Sequence, residues 1–199
     1  MTLEHARCMK AHPHANADGF SLIEMLTVVA VAGVIMATAV AVMPNLINQS
    51  KSDGGVAQVL NTLRLARERA IGERRNIEVR FIGNNEIQVV RDEIGAGGVA
   101  AGTTTVSDVI IENQIFTQFT GLGDTPDHFG SSGPVAFGAS PSHMFTSEGT
   151  FIDSTGDVLN GTIFLGAPTG DKMTARAITI LGSTALLHTW KWNGSAWIE

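Results

Sequence analysis

From Leu22 to Met43 every position except Glu24 is aliphatic, small, methionine or threonine. Wound at about 1.5 Å per residue, that run is about 33 Å long, enough for a hydrocarbon core of about 30 Å. It sustains no amphipathic stripe, which disfavours a helix lying on a surface. The pattern predicts a membrane-spanning helix, closed by Pro44 and Asn45 and followed by a polar stretch from Asn48 to Asp53. Beyond Gly54 and Gly55, the residues Val56, Val59, Leu60, Leu63, Ala66, Ala70 and Ile71 recur at helical spacing. Arg64, Arg67, Glu68, Arg74 and Arg75 stand mostly around them. The glycine pair reads as a break or linker, or as a hinge within one long helix, because two glycines cost about 2 kcal/mol of helix propensity against alanine.

At Asn76 the period changes to two. Ile77, Val79 and Phe81 alternate with Glu78 and Arg80; Gly83, Asn84 and Asn85 form a turn; Ile87 and Val89 alternate with Glu86 and Gln88. This predicts a β-hairpin. Glu93 to Ser107, rich in Gly, Ala and Thr, reads as a loop. Strands are expected at Val109–Phe119, Val135–Phe137, around Phe145, at Thr162–Leu165, Ala175–Leu181 and Ala185–Trp192, with a loop-rich Gly121–Ser142 between. Asn193-Gly194 is a strong two-residue turn signal, and the register it implies sets Trp190 opposite Trp197, with Trp192 on the same side.

Charge refines this picture. The 44% hydrophobic and 16% charged content is charge-poor against the usual one quarter, and the net charge of −6 argues against a general nucleic-acid binder, which needs clustered Lys and Arg. From Asp92 onward the basic residues are Lys172, Arg176 and Lys191, against eleven acids. Arg7 and Lys10 precede the apolar run and Lys51 follows it, a bias that points to N-terminus in and C-terminus out. Cys8 is the one cysteine, so no intrachain disulfide can brace an outer domain; an inert thiol in a short tail is its plain reading. A lipoprotein cysteine would follow its apolar stretch, whereas Cys8 precedes it.

Glu24 is the outlier. On insertion scales a carboxylate at a bilayer centre costs about 2.5–3.5 kcal/mol, and less near the interface. Either it snorkels to the headgroups or a partner charge awaits it. A secretory signal peptide is a rival reading, with Ala37-Thr38-Ala39 as its cleavage site, but the apolar run exceeds the roughly 7–15 residues such peptides carry. Elsewhere the sequence holds no Gly-x-Ser-x-Gly, His-Glu-x-x-His, paired-cysteine or Walker pattern, so neither an enzyme nor a cofactor is expected. Gly95-x-Gly97 has no following helix to cap a phosphate. His12 and His14 read as a polar tail, and His128, His143 and His188 lack helical metal spacing. Asp153 and Asp157 read as a solvated turn without the EF-hand pattern. The tryptophans at 190, 192 and 197 form either a carbohydrate platform or, the stronger reading, an edge hairpin folded on the core.

Gly19 followed by Phe20, Ser21, Leu22, Ile23 and Glu24 at the head of an apolar helix resembles the signal of type IV prepilins and type II secretion pseudopilins. The stretch Leu63-Arg64-Leu65-Ala66-Arg67-Glu68-Arg69-Ala70-Ile71 resembles the "LxLARxxAI" stretch of the GspH/FimT family of type II secretion minor pseudopilins and type IV minor pilins. Phe145 to Gly149 and Thr162 to Leu165 resemble its "FxxxG … IxL" strands. The resemblance implies cleavage between Gly19 and Phe20 by a prepilin peptidase, N-methylation of Phe20, and pairing of Glu24 with the terminal amine of Phe20 on an adjacent subunit. It implies as partners the other pilins or pseudopilins of one filament and the inner membrane. Asp18, where a basic residue is common, and Pro44, about one turn later than usual, depart from the pattern.

The expected fold is therefore α+β and pilin-like: a long N-terminal transmembrane helix followed by an antiparallel β-rich extracytoplasmic domain. Its parts are a leader at 1–19, a transmembrane and assembly helix at 20–44, a helical continuation with a Gly54-Gly55 break at 45–75, and a β-rich periplasmic domain at 76–199. The expected function is that of a minor pseudopilin of type II secretion. The alternative is a FimT-like minor pilin that primes type IV pilus assembly, with adhesion or DNA uptake as its further roles.

Overall fold

A computed structural model describes residues 19–94, 100–138 and 142–199, without the side chains of 38–42, 45, 94 and 100. The chain divides into two units, Met1–Met43 and Pro44–Glu199. One helix, α1, runs from Leu22 to Glu73. Among the described residues eleven strands follow: β1 (Ile77–Ile82), β2 (Glu86–Ile94), β3 (Ala100–Ile110), β4 (Ile115–Phe116), β5 (Val135–Ala136), β6 (His143–Phe145), β7 (Phe151–Asp153), β8 (Gly161–Gly166), β9 (Arg176–Leu181), β10 (Leu186–Trp192) and β11 (Trp197–Ile198).

The helical stripe read from the sequence is the buried one. Val56, Val59, Leu63, Ala66 and Ala70 are spaced by three and four, and all are buried against residues of both sheets, among them Ile77, Val79, Phe145, Ile163 and Ile178. Ile71, expected on that stripe, is exposed. α1 also passes through Pro44 and through Gly54-Gly55, so no break occurs there. Packing overrides propensity at Gly55: a Cβ there would lie 2.5 Å from Cγ of Gln114, whereas Gly54 faces open space. Gly55 thus serves close approach of helix and loop, and the pair is not a linker. α1 ends when Arg74 turns to φ 52°, with Arg75 N–H donating to Ala70 O (3.1 Å) and Arg74 N–H to Ile71 O (3.4 Å), the two bonds of a Schellman motif.

Two antiparallel sheets form, ordered β3-β2-β1-β6-β7 and β11-β10-β9-β8-β4, with β5 also pairing β8. The hairpin expected at Gly83–Asn85 closes in register, Ile82 opposite Glu86 and Val79 opposite Val89. The segment expected to be a loop, Glu93–Ser107, instead contributes most of β3, which pairs with β2 along its length. Its threonines suit a half-exposed edge strand, a β-branched preference that its Gly and Ala content obscured. The strand expected over Val109–Phe119 is divided, because Asn113 turns to positive φ between β3 and β4.

β8 is buried at every position. Ile163 and Leu165 face the main core, while Phe164 packs with Ala177, Leu122 and Trp197 on the other side of the sheet. A continuous apolar run is what burial on both faces demands. The last hairpin corrects the expected register. Asn193 Oδ1 accepts from Ser195 N–H (2.9 Å), Ser195 Oγ–H (3.0 Å) and Ala196 N–H (2.9 Å), making a four-residue loop. Trp192 is thereby set opposite Trp197, and Trp190 opposite Ala177.

The two stretches that resemble GspH/FimT sequences meet in space. Arg67 Nε–H donates to Gly149 O at 3.1 Å, joining α1 to the turn between β6 and β7. Gly149 has φ 81°, and a Cβ there would lie 3.0 Å from Ile71 Cδ1 and 3.3 Å from the Arg67 guanidinium. Gly149→Ala is expected to cost about 2 kcal/mol from the left-handed backbone, plus crowding, and to lower the thermal midpoint by about 4–8 °C. Gly156→Ala, at φ 92° with open surroundings, isolates the backbone part. Thermal unfolding of both variants checks the difference.

Candidate assembly interface

In the first unit the described side chains are mostly apolar and exposed. Gly19 and Phe20 precede α1, and the carbonyl of Ser21 accepts from Glu24 N–H (3.0 Å) and Met25 N–H (3.2 Å) to start it. Phe20 is 78% and Leu22 83% exposed, and Ile23, Leu26, Val29 and Val34 are likewise exposed. Apolar exposure on successive positions leaves no side of this segment polar, the pattern of a helix covered by lipid or by other chains. Glu24 lies in the first turn of α1, where the helix macrodipole favours an anion. The hydroxyl of Thr27 donates to the Glu24 carbonyl at 2.8 Å, and the Glu24 carboxylate has no partner among the described residues.

Among the described residues no helix is long and apolar enough to cross a membrane. The run read from the sequence, Leu22 to Met43, includes positions 38–42, whose side chains lie outside the described set, so the single-pass expectation stays an expectation. Asp18, Cys8, Arg7, Lys10, His12, His14 and the Gly95-x-Gly97 stretch also lie outside it.

In the second unit, a lock holds α1 to β9 that sequence reading missed. Arg176 is 3% exposed; its Nε–H donates to Asp53 Oδ1 at 2.7 Å, and its Nη1 reaches the carbonyls of Met173 (3.1 Å) and Ala175 (2.9 Å). Nη2 lies 3.4 Å from the carbonyl of Gln49. The partners are 123 residues apart, beyond any local pattern.

Arginines beside the C-terminal end of α1, Arg75 just past it and Arg91 of β2, are committed to acids. Arg75 pairs with Glu93 (3.2 Å), and Arg91 with Glu93 (2.6 Å) and Glu73 (3.2 Å). Hydrogen bonds from Arg91 hold the Glu93 carboxyl below the usual carboxylate range. Arg80 pairs with Glu78, which also accepts from Ser142 Oγ–H at 2.8 Å. These pairs mix both signs of charge around the end of α1.

The other candidate side chains are brought together only locally. Asp127 accepts from the Thr179 hydroxyl and from Trp190 Nε1–H (3.2 Å), with His188 Nδ1 3.3 Å away. The hydroxyl bonds the carboxylate, not the imidazole, so this Asp, His and Thr set lacks the geometry of an activated nucleophile. His143 sits among the rings of Phe81, Phe137 and Phe151. No group of His, Cys, Asp and Glu among the described residues could hold a metal ion. Asp153 Oδ1 accepts from the N–H groups of Thr155 (2.8 Å) and Asp157 (3.0 Å) and from the Thr155 hydroxyl (2.7 Å), which holds its carboxyl below the usual range. Trp197 is buried, donates Nε1–H to Gly123 O (2.9 Å) and meets Trp192 edge-on, so the tryptophans close a core face rather than form a flat platform.

Comparison with known proteins adds one sequence match and one structural likeness. Residues 14–40 match the family model described as the prokaryotic N-terminal methylation motif, a span that contains Gly19, Phe20 and Glu24. No curated protein matches the chain. Two crystal forms of the type IV minor pilin FimU from Pseudomonas aeruginosa are similar in structure, each at 15% identity and a TM-score of 0.41 over 76% of this chain, covering 97% and 92% of theirs. The methylation motif implies processing by a prepilin peptidase and assembly with other pilins. That motif heads a helix that leads into antiparallel sheets, and it marks the N-terminal segment of this chain as prepilin-like.

Proposed function

We propose that this protein is a minor pseudopilin of a type II secretion system, of the GspH/FimT kind. Its apolar run anchors it in the inner membrane with the β domain in the periplasm. A prepilin peptidase cuts between Gly19 and Phe20, Phe20 is N-methylated, and α1 packs among the helices of a short filament. One observation carries this reading: the matched methylation motif heads a helix whose apolar side chains are exposed on successive positions, with a carboxylate at Glu24 that has no partner among the described residues. In a filament, neighbouring helices cover that surface, and a buried carboxylate then requires an opposite charge. The contact between Arg67 and Gly149 supports the GspH/FimT assignment, since it joins the two stretches on which the resemblance rests.

The same motif fits a FimT-like minor pilin that primes type IV pilus assembly, and removal of the chain separates the two roles. For a pseudopilin, secretion of exoproteins falls while surface pili persist. Loss of pili with secretion intact selects the pilus role. If both persist, the filament reading fails.

A further inference from the structure

The edges of the two sheets are blunted unequally. β4 has two residues and β7 three, and the long edge strand β3 is interrupted by register shifts opposite Val89/Val90 and Glu93/Ile94. Short or bulged edges resist added strands. β10 differs. It pairs with β9 in unbroken register from Leu186 to Lys191, while its other side is paired only at Lys191 and Trp192, by β11. Leu186 to Trp190 thus present an open main-chain edge among the described residues, with no proline or lysine to guard it.

That edge borders a channel. One depression of about 520 Å³ lies between Arg64, Arg67 and Glu68 of α1 and residues 184–187. A second, of about 310 Å³, lies between Asp53, Val56 and Leu60 of α1 and Thr189 to Lys191. The helix residues 53, 56, 60, 64 and 67 fall on one stripe, so the two depressions follow one face of α1, which runs antiparallel to β10. The stripe is about 21 Å long at about 1.5 Å per residue, and five strand residues cover about 17 Å. The end beside residue 186 carries Arg64, Arg67 and Glu68, a net positive set in which Arg64 has no ion partner among the described residues and Arg67 engages Gly149 O through Nε. The middle is apolar, with Leu60 and Leu187 partly buried on the core.

We propose that this channel receives an extended acidic segment of a neighbouring filament subunit, added as an antiparallel strand on Leu186–Trp190 in line with β11. Antiparallel pairing places the C-terminal end of the segment beside Arg64, so its acidic residues stand at that end. Main-chain bonds supply the binding and the guanidinium the direction. Only the source of the segment rests on the function proposed above.

The test uses the full chain in detergent and a fluorescent peptide, Thr-Ile-Thr-Val-Thr-Glu-Glu, followed by anisotropy. Micromolar binding is expected, at least tenfold weaker with Lys-Lys in place of Glu-Glu, and Arg64→Glu should reverse that order. Peptides N-methylated at alternate residues along one edge should lose binding more than tenfold, and those methylated along the other edge less than twofold. No binding at millimolar peptide, or equal binding of both methylated forms, overturns the proposal. So does a dimer in sedimentation that Arg64→Glu dissociates and that excludes the peptide, because a second copy is then the occupant. None of these readings depends on processing at Gly19 or on membership of a filament, so this inference and the proposed function fail separately.

Discussion

Asp53→Ala is expected to destabilise the β-domain by about 2–3 kcal/mol, lowering the thermal midpoint by roughly 4–12 °C. The asymmetry of the pair sets the size of the effect. Arg176 is 3% exposed and Asp53 57%, so the two charges stand differently toward water. Removing Asp53 leaves a buried cation that cannot rehydrate, a change that costs about 3–5 kcal/mol in a fully buried pair. The carbonyls of Met173 and Ala175 still accept from Arg176, which reduces the loss. Arg176→Met is expected to cost less, about 1–2 kcal/mol, because the freed carboxylate returns to solvent and the methionine refills much of the volume. Trp192 N–H still donates to the Ala175 carbonyl in that variant. Thermal melts of both single variants and the double variant check the order. A more stable Asp53→Ala than Arg176→Met would show that packing of the arginine stem outweighs its charge.

Glu24→Ala is expected to leave membrane insertion intact and to lower co-assembly with partner subunits about tenfold. Insertion becomes easier, since a carboxylate in a span costs up to about 2.5–3.5 kcal/mol. Assembly suffers because a desolvated charge pair between chains couples by about 1.5 kcal/mol or more, and about 1.4 kcal/mol is tenfold in an equilibrium. Quantifying the variant in membranes and in purified filaments separates the two effects. Co-assembly at the wild-type level would refute charge pairing and leave the glutamate a snorkelling side chain.

The elements legible in the sequence were those whose signal is local. The stripe Val56, Val59, Leu63, Ala66 and Ala70, the turn at Gly83 to Asn85, and the cores of β8, β9 and β10 follow from periodicity and turn residues alone. What misled were positions where a distant partner decides. Gly55 stays helical because Gln114 packs against it, and β3 is a strand because β2 lies beside it. The register of the last hairpin turns on one side chain, Asn193, whose oxygen gathers three donors and lengthens the loop. At the N-terminal segment, by contrast, Gly19, Phe20 and Glu24 are neighbours in sequence, so the motif could be read without a fold. The lock of Arg176 on Asp53 and the open edge of β10 could not, since both depend on how strands and helix come together.

The proposed filament role depends on one processing event. Intact-mass measurement of the protein extracted from membranes tests it most directly. The expected species begins at Phe20 and carries one added methyl group, with the apolar helix retained. A chain beginning after Ala39, or one still carrying residues 1–19, would contradict it.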